Sequence, residues 1–460
     1  MQITIKNFGP IKEFNYDLSK DIIVTFGNNN IGKSYAMQVV YLLLKNLIEY
    51  AEFGSSYYHY RYYSQLRMDS EYFVEKVQKF AKETKPTEKI TEIINSAVVR
   101  DISTKLVTNF IHSCENTFGN FKGILAQKPV IIMHVERYTL TIDLAQNAIS
   151  NATVYTVPTY LKRASSDFHK SRNANGHLDI YYYNNIDAPM EIIMECVSNA
   201  IVDFSTNVRL GVGNVYFLPA SRSGIYSGMS AFSSIIAELS KNKAMLARKI
   251  ELPGISEPIS DYFLMLSNIK VRENELVSAV YQKIEDEILH GKVSFNRSKN
   301  TLMYTPEGIK HEFEMTEVSS MVSEISPIVA FLKYVVSSRD KRQRMQFGKP
   351  ILFIEEPEAH LHPMNQIKLI ELFAQLNKFG IKIIISSHSN YVFNKLNNLL
   401  LKKDINPQVY SAILLQMEGD GSVSANMPID ELGVDDTNFM DVTKYLYNER
   451  EQLILEWTEE

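Results

Sequence analysis

Gly27-Asn28-Asn29-Asn30-Ile31-Gly32-Lys33-Ser34 fills every fixed position of GxxxxGK[ST], and it stands between the apolar run Ile22–Phe26 and an apolar-periodic stretch that opens at Ser34. A triphosphate needs that order of strand, glycine-bounded loop and helix. Successive backbone N–H groups converge on the phosphates, and the helix N-terminus adds partial positive charge. Lys33 is placed to neutralise the β- and γ-phosphates, and Ser34 to ligate Mg²⁺. A Gly/Asn-rich turn that matches by chance lacks this context. The reading is a nucleoside-triphosphate site between a strand over 22–26 and a helix from 34 to about 47.

Residues 350–363 read Pro-Ile-Leu-Phe-Ile-Glu-Glu-Pro-Glu-Ala-His-Leu-His-Pro. Four apolar residues running into two carboxylates predict a strand buried on both faces. In an open α/β sheet, ligands sit at the C-terminal ends of such strands. Glu355 is therefore expected to hold Mg²⁺, directly or through water. Glu356 is expected to orient or deprotonate the attacking water. Residues 382–389, Lys-Ile-Ile-Ile-Ser-Ser-His-Ser, predict another buried strand ending in polar groups, with His388 reaching the γ-phosphate. Glu358, His360 and His362 have the look of a zinc cluster but lack the ligand spacing and further donors of one.

A Walker A loop, a distant Walker B followed by Ala-His-Leu-His-Pro, and a strand ending in Ser-Ser-His-Ser together resemble an ABC-type ATPase. More narrowly, the chain is similar to the RecF/SMC/OLD-like branch, whose Walker B often reads as residues 354–363 do here. The resemblance implies an α/β fold, a P-loop core with an antiparallel β subdomain and a largely helical insertion. It also implies ATP and Mg²⁺ as cofactors, ATP hydrolysis as the activity, and two nucleotides sandwiched in a head-to-head dimer. The core then covers 1–50 and 215–401, with 51–214 a mainly helical insertion containing some strands and 402–460 a short C-terminal extension. The signature loop offered to the partner protomer would be Thr316-Glu317-Val318-Ser319-Ser320-Met321-Val322-Ser323-Glu324, with Ser319 and Ser320 supplying hydroxyls at a helix N-terminus. It lacks the glycines of the usual LSGGQ-like form, and an ordinary serine-capped helix is the other reading. Arg222, after the apolar run at 215–218, stands where ABC proteins carry a glutamine. It is a candidate contact for a phosphate or the neighbouring protomer, or else a structural arginine bonding carbonyls of its turn.

Two segments separate the relatives. SMC-like proteins insert hundreds of coiled-coil residues between the loop at 224 and the signature loop, whereas here fewer than a hundred stand there, interrupted by Pro253 and Pro258. Heptads cannot run far through them. OLD-family nucleases append a TOPRIM domain, for which 402–460 is too short, so effector chemistry is expected on a separate polypeptide. ATPases of this build resemble the sensor subunits of bacterial anti-phage systems such as Septu and PARIS. That implies a regulatory platform whose partner is a nuclease or toxin. The alternatives are a RecF-like DNA-repair ATPase and an ATP-binding scaffold with negligible turnover.

The 460 residues, 45% of them hydrophobic, are ample for a large core. Cys114 and Cys196 are isolated, which excludes a disulfide framework. No apolar run approaches the ~18 residues of a membrane span, and the first residues alternate as a strand rather than as a signal peptide, so a cytoplasmic location with no membrane partner is expected. The net charge of −5 argues against a positively coated surface but leaves room for a local DNA groove. Residues 339–344 and the cluster Lys241, Lys243, Arg248 and Lys249 are the basic candidates, although cations that merely complement a helix C-terminus are the favoured reading of each. The tyrosine-rich run at 57–63 suits base stacking or plain packing.

Overall fold

The computed structural model describes residues 1–56, 87–163, 169–172, 176–182, 187–228, 255–269, 273–336, 347–430, 433–435 and 437–459. The tyrosine-rich run and both basic clusters lie outside the described residues. Eleven strands share one sheet: β1 (Gln2–Phe8), β2 (Ile11–Asp17), β3 (Ile22–Phe26), β4 (Val130–Val135), β5 (Tyr138–Asp143), β6 (Ala148–Thr153), β7 (Val215–Leu218), β8 (Ile351–Glu355), β9 (Lys382–Ser387), β10 (Tyr410–Glu418) and β11 (Gly421–Asn426). Their order is β7-β8-β9-β3-β10-β11-β2-β1-β4-β5-β6.

Pairing is parallel from β7 through β10. The β10–β11 hairpin reverses direction, and β11 runs parallel to β2. From β2 outward the pairs are antiparallel. The parallel half explains its own composition: β3 and β8 are buried along their whole length and carry continuous apolar runs, as helices on both faces demand. In β1 burial alternates, with Ile3, Ile5 and Phe8 inward. Strands β4 to β6 extend the sheet from β1, so this part of the 51–214 segment is hydrogen-bonded edgewise to residues 1–17. Likewise β10, within the expected C-terminal extension, is the direct neighbour of β3.

Side chains of one strand alternate between two apolar cores. Ile23, Phe353 and Ile384 face one of them together with the helices α1 (Lys33–Ser56) and α2 (Asp187–Gly211). Val24, Phe26, Leu352, Ile354 and Ile385 face the other, packed by α3 (Ser320–Ala330), α4 (Pro363–Leu376) and α5 (Asn390–Leu401). Helix α1 runs past the expected end near 47, since no Gly or Pro precedes Gly54 and Ile48, Tyr50 and Ala51 stay buried. No described helix is long and apolar enough to cross a membrane.

Candidate functional site

The loop after β3 adopts a conformation that its glycines permit. Gly27 has φ 146° and Gly32 φ 101°. A Cβ on Gly27 would stand 2.5 Å from the Leu415 carbonyl oxygen, and one on Gly32 2.9 Å from Pro10 Cγ. Only glycine fits at either end. Between them Asn28, Asn29 and Asn30 are exposed while Ile31 is buried and pins the loop. Asn30 takes φ 62°, a left-handed value that asparagine tolerates.

Lys33 opens α1, buried, with Nζ donating to the carbonyls of Gly27 at 2.8 Å and Asn28 at 2.7 Å. It also meets His388 Nδ1 at 3.2 Å. An ammonium has three protons, and these three acceptors take them all. Desolvation lowers its pKa to about 8, against the opposing pull of Glu356 and Glu358. Because Nδ1 of His388 faces an ammonium, the ring proton belongs on Nε2, which lies 3.1 Å from Glu356 Oε1. One imidazole thus joins Lys33 to Glu356, the carboxylate just after β8.

Glu356 follows β8 at φ 41°, a left-handed value unusual for a glutamate. Its N–H donates to Ser386 O at 3.0 Å, which holds that conformation in place. Such local strain fixes where a side chain points. Here it points at His388, whose hydrogen bond is the main reason the Glu356 pKa falls below the ordinary carboxylate value, burial opposing it.

Glu355 is buried. The Ala220 N–H donates to its Oε2 at 3.3 Å, and Oε1 has no hydrogen-bond partner among the described residues. Burial raises its pKa, opposed by the Ala220 N–H, the Ser34 hydroxyl and the Gln38 amide. A buried carboxylate oxygen without a donor, beside a serine hydroxyl, fits a hard divalent cation. No cluster of three or more His, Cys, Asp or Glu side chains forms a metal cage among the described residues. A cation held by Glu355 and Ser34 would complete its shell with phosphate oxygens and water, as Mg²⁺ does.

The other candidates fall elsewhere. Arg222 is fully buried. Its Nε donates to Glu324 O at 3.2 Å, Nη1 to Pro219 O at 3.0 Å and Glu355 O at 2.8 Å, and Nη2 to Glu356 O at 3.3 Å. It therefore braces the backbone that carries both carboxylates and presents no face to solvent. Ser319 caps α3, accepting from Val322 N, and both Ser319 and Ser320 are exposed at that helix N-terminus. Inward from them, Glu324 accepts from Ser223 N at 3.2 Å and Ser223 Oγ at 2.7 Å. Two residues were not anticipated. Gln38 lies four residues after Ser34, on the same face of α1, and that spacing was its only signal. Glu358 Oε1 accepts from Ser387 Oγ at 2.6 Å and His388 N at 2.8 Å.

A family model described as an AAA ATPase domain matches residues 1–206 and 227–393. No curated protein matches by sequence. Similar solved structures include an Smc head bound to the C-winged helix domain of ScpA, at 12% identity over 94% of this chain and 98% of that one, with a TM-score of 0.37. The SMC head domain from Thermotoga maritima is 8% identical over 93% and 98% of the two chains, with a TM-score of 0.33. An Smc head domain with an extended coiled coil, bound to the C-terminal domain of ScpA derived from Pyrococcus furiosus, is 11% identical over 98% of each, also at 0.33.

Proposed function

The chain belongs to the AAA ATPase domain family, and from that premise we propose that it is a nucleotide-driven switch whose ATP cycle controls a separate effector. It is an ATP-binding ATPase. The contact of His388 with both Lys33 and Glu356 carries the proposal, because it links the group that holds phosphate to the group suited to activate water.

In the proposed cycle the backbone of residues 27–32 cradles the triphosphate, and Lys33 exchanges one of its present acceptors for phosphate oxygen. Ser34 and Glu355 hold Mg²⁺, which when bound neutralises phosphate charge and polarises the transferring group. Glu356, well ionised, takes the proton of the attacking water. His388 donates from Nε2 to Glu356 and keeps its carboxylate aimed. Ser319 and Ser320 face the nucleotide of a second protomer, closing a head-to-head dimer. Water attacks the γ-phosphorus, the bond to the β–γ bridging oxygen breaks with ADP as the leaving group, and release of the phosphate takes away the group that both protomers contact and resets the switch.

The separate effector, a nuclease or toxin in bacterial anti-phage defence in the cytoplasm, rests on the resemblance of this build to the ATPase subunits of such systems. The test is to purify wild type and Glu356→Gln from the native locus with ATP and measure native mass and copurifying polypeptides together. A stable companion with nuclease-like or toxin-like chemistry supports the proposal. A bare dimer that gains mass only with DNA overturns it in favour of a repair ATPase.

A further inference from the structure

We propose that Glu358 is a positioning residue for hydrolysis, acting through His388. The proposal rests on the role given to His388 above.

The strand β9 delivers His388 to the site, but the ring lies beyond the last strand residue, where no ladder hydrogen bond fixes the backbone. Glu358 supplies that fixation from the turn that follows β8. Its Oε1 takes the Ser387 hydroxyl at 2.6 Å and the His388 N–H at 2.8 Å, so a single oxygen holds the two residues that set the direction of the imidazole. On the far side, Ser389 N donates to Ser387 Oγ at 3.1 Å, and Ser389 Oγ donates to Gln366 Oε1 at 2.6 Å. Gln366 Nε2 in turn donates to Leu361 O at 3.0 Å. The turn 387–389 is thus gripped at both ends by residues that follow Glu356.

The grip has a geometric purpose. An imidazole has two side-chain torsions, and with its backbone fixed the ring can meet Lys33 at 3.2 Å and Glu356 at 3.1 Å at the same time. A shift of the 387–388 peptide would break one contact or both. Glu358 Oε2 is buried without a partner among the described residues. That is a costly arrangement for a residue whose only task is stability, and it suits one selected for where Oε1 stands.

The test is steady-state ATPase kinetics, with equilibrium binding of a non-hydrolysable ATP analogue, on wild type, Glu358→Ala, Glu358→Gln, His388→Ala and the double variant Glu358→Ala/His388→Ala. Glu358→Ala should lower kcat about 10²-fold, the scale of a misplaced catalytic group, while KM and analogue affinity stay within about threefold. Glu358→Gln keeps an amide oxygen for both donors and should recover most of the lost kcat. The double variant should be no slower than His388→Ala alone, since a residue that acts through another adds nothing once that other is gone. Wild-type turnover in Glu358→Ala, with His388→Ala inactive, overturns this proposal alone. Wild-type turnover in His388→Ala overturns the role of His388 and this proposal with it. A loss in Glu358→Ala that Gln does not recover, and that adds to His388→Ala, marks a purely structural residue and also overturns it.

Discussion

Lys33 Nζ lies 3.2 Å from His388 Nδ1, so the first residue of α1 and the residue just after β9 meet at a single hydrogen bond. The ammonium is fully engaged there, and a phosphate must displace one of its three acceptors.

Lys33→Ala should abolish nucleotide binding, and the pH dependence of wild type should carry the same signature. With a pKa near 8 the side chain is charged below about pH 8 and loses its proton above it. Phosphate favours the charged form, so binding draws a proton back onto Lys33 in the window between about 8 and the unperturbed ~10.4. ATP affinity should fall as pH rises through that window. Calorimetry at pH 9 in two buffers of different ionisation enthalpy should show proton uptake on binding, and none at pH 7.

Glu356→Gln should leave ATP binding intact and lower kcat by about 10²- to 10⁴-fold, the range for a lost general base. The His388 hydrogen bond holds the wild-type carboxyl below its ordinary value. A group with a depressed pKa stays ionised until the pH falls below its ordinary range, so Glu356 should impose no acidic limb on turnover above about pH 4.3. A pH–rate profile from 5 to 7 checks this.

Glu355→Ala removes the buried oxygen proposed to meet Mg²⁺. ATP should then bind with the same affinity in Mg²⁺ as in EDTA, whereas wild type should bind more tightly in Mg²⁺. Titration of a fluorescent ATP analogue under both conditions gives the answer directly.

Arg222→Met should act on stability before activity. It removes the guanidinium donor from the carbonyls of Pro219, Glu324, Glu355 and Glu356, of which Glu356 O keeps the Ala359 N–H, and leaves the Glu324 carboxylate buried beside no cation. Removing one partner of a buried, hydrogen-bonded pair costs about 3–5 kcal/mol. Chemical denaturation should show a lower midpoint, and Arg222→Lys should not restore it, because an ammonium cannot span four carbonyls in a planar fork.

The strands that carry the site were legible because a strand buried on both faces has to be written as a continuous apolar run. β3 and β8 are such runs nearly throughout, and β9 is one over Ile383, Ile384 and Ile385. Glu355 and Glu356 were legible because two carboxylates directly after such a run are conspicuous. Arg222 was not resolved: a turn sequence offers an arginine and does not say whether its donors meet carbonyls or solvent, which depends on α3 packing against the loop from 102 residues away. Gln38 belongs to no pattern that names it, and Glu358 stands inside the 354–363 string without a role assigned by it; the contacts of both arise only where α1, β8 and β9 converge. The strands β4, β5 and β10 each carry buried apolar residues of their own, but their neighbours in the sheet are chosen by long-range register. That choice leaves no local mark.

The neighbours of β3 are β9 and β10, made of residues 382–387 and 410–418, so the order of synthesis inverts the order of assembly. The strand β3, and the loop attached to it, wait for residues 382–387 and 410–418 before either edge is covered. Contacts of that separation make folding slow and leave strand edges exposed meanwhile. Gly27, which lies against the Leu415 carbonyl, and Lys33, which meets His388, gain those neighbours only once residues 388 and 415 have been made.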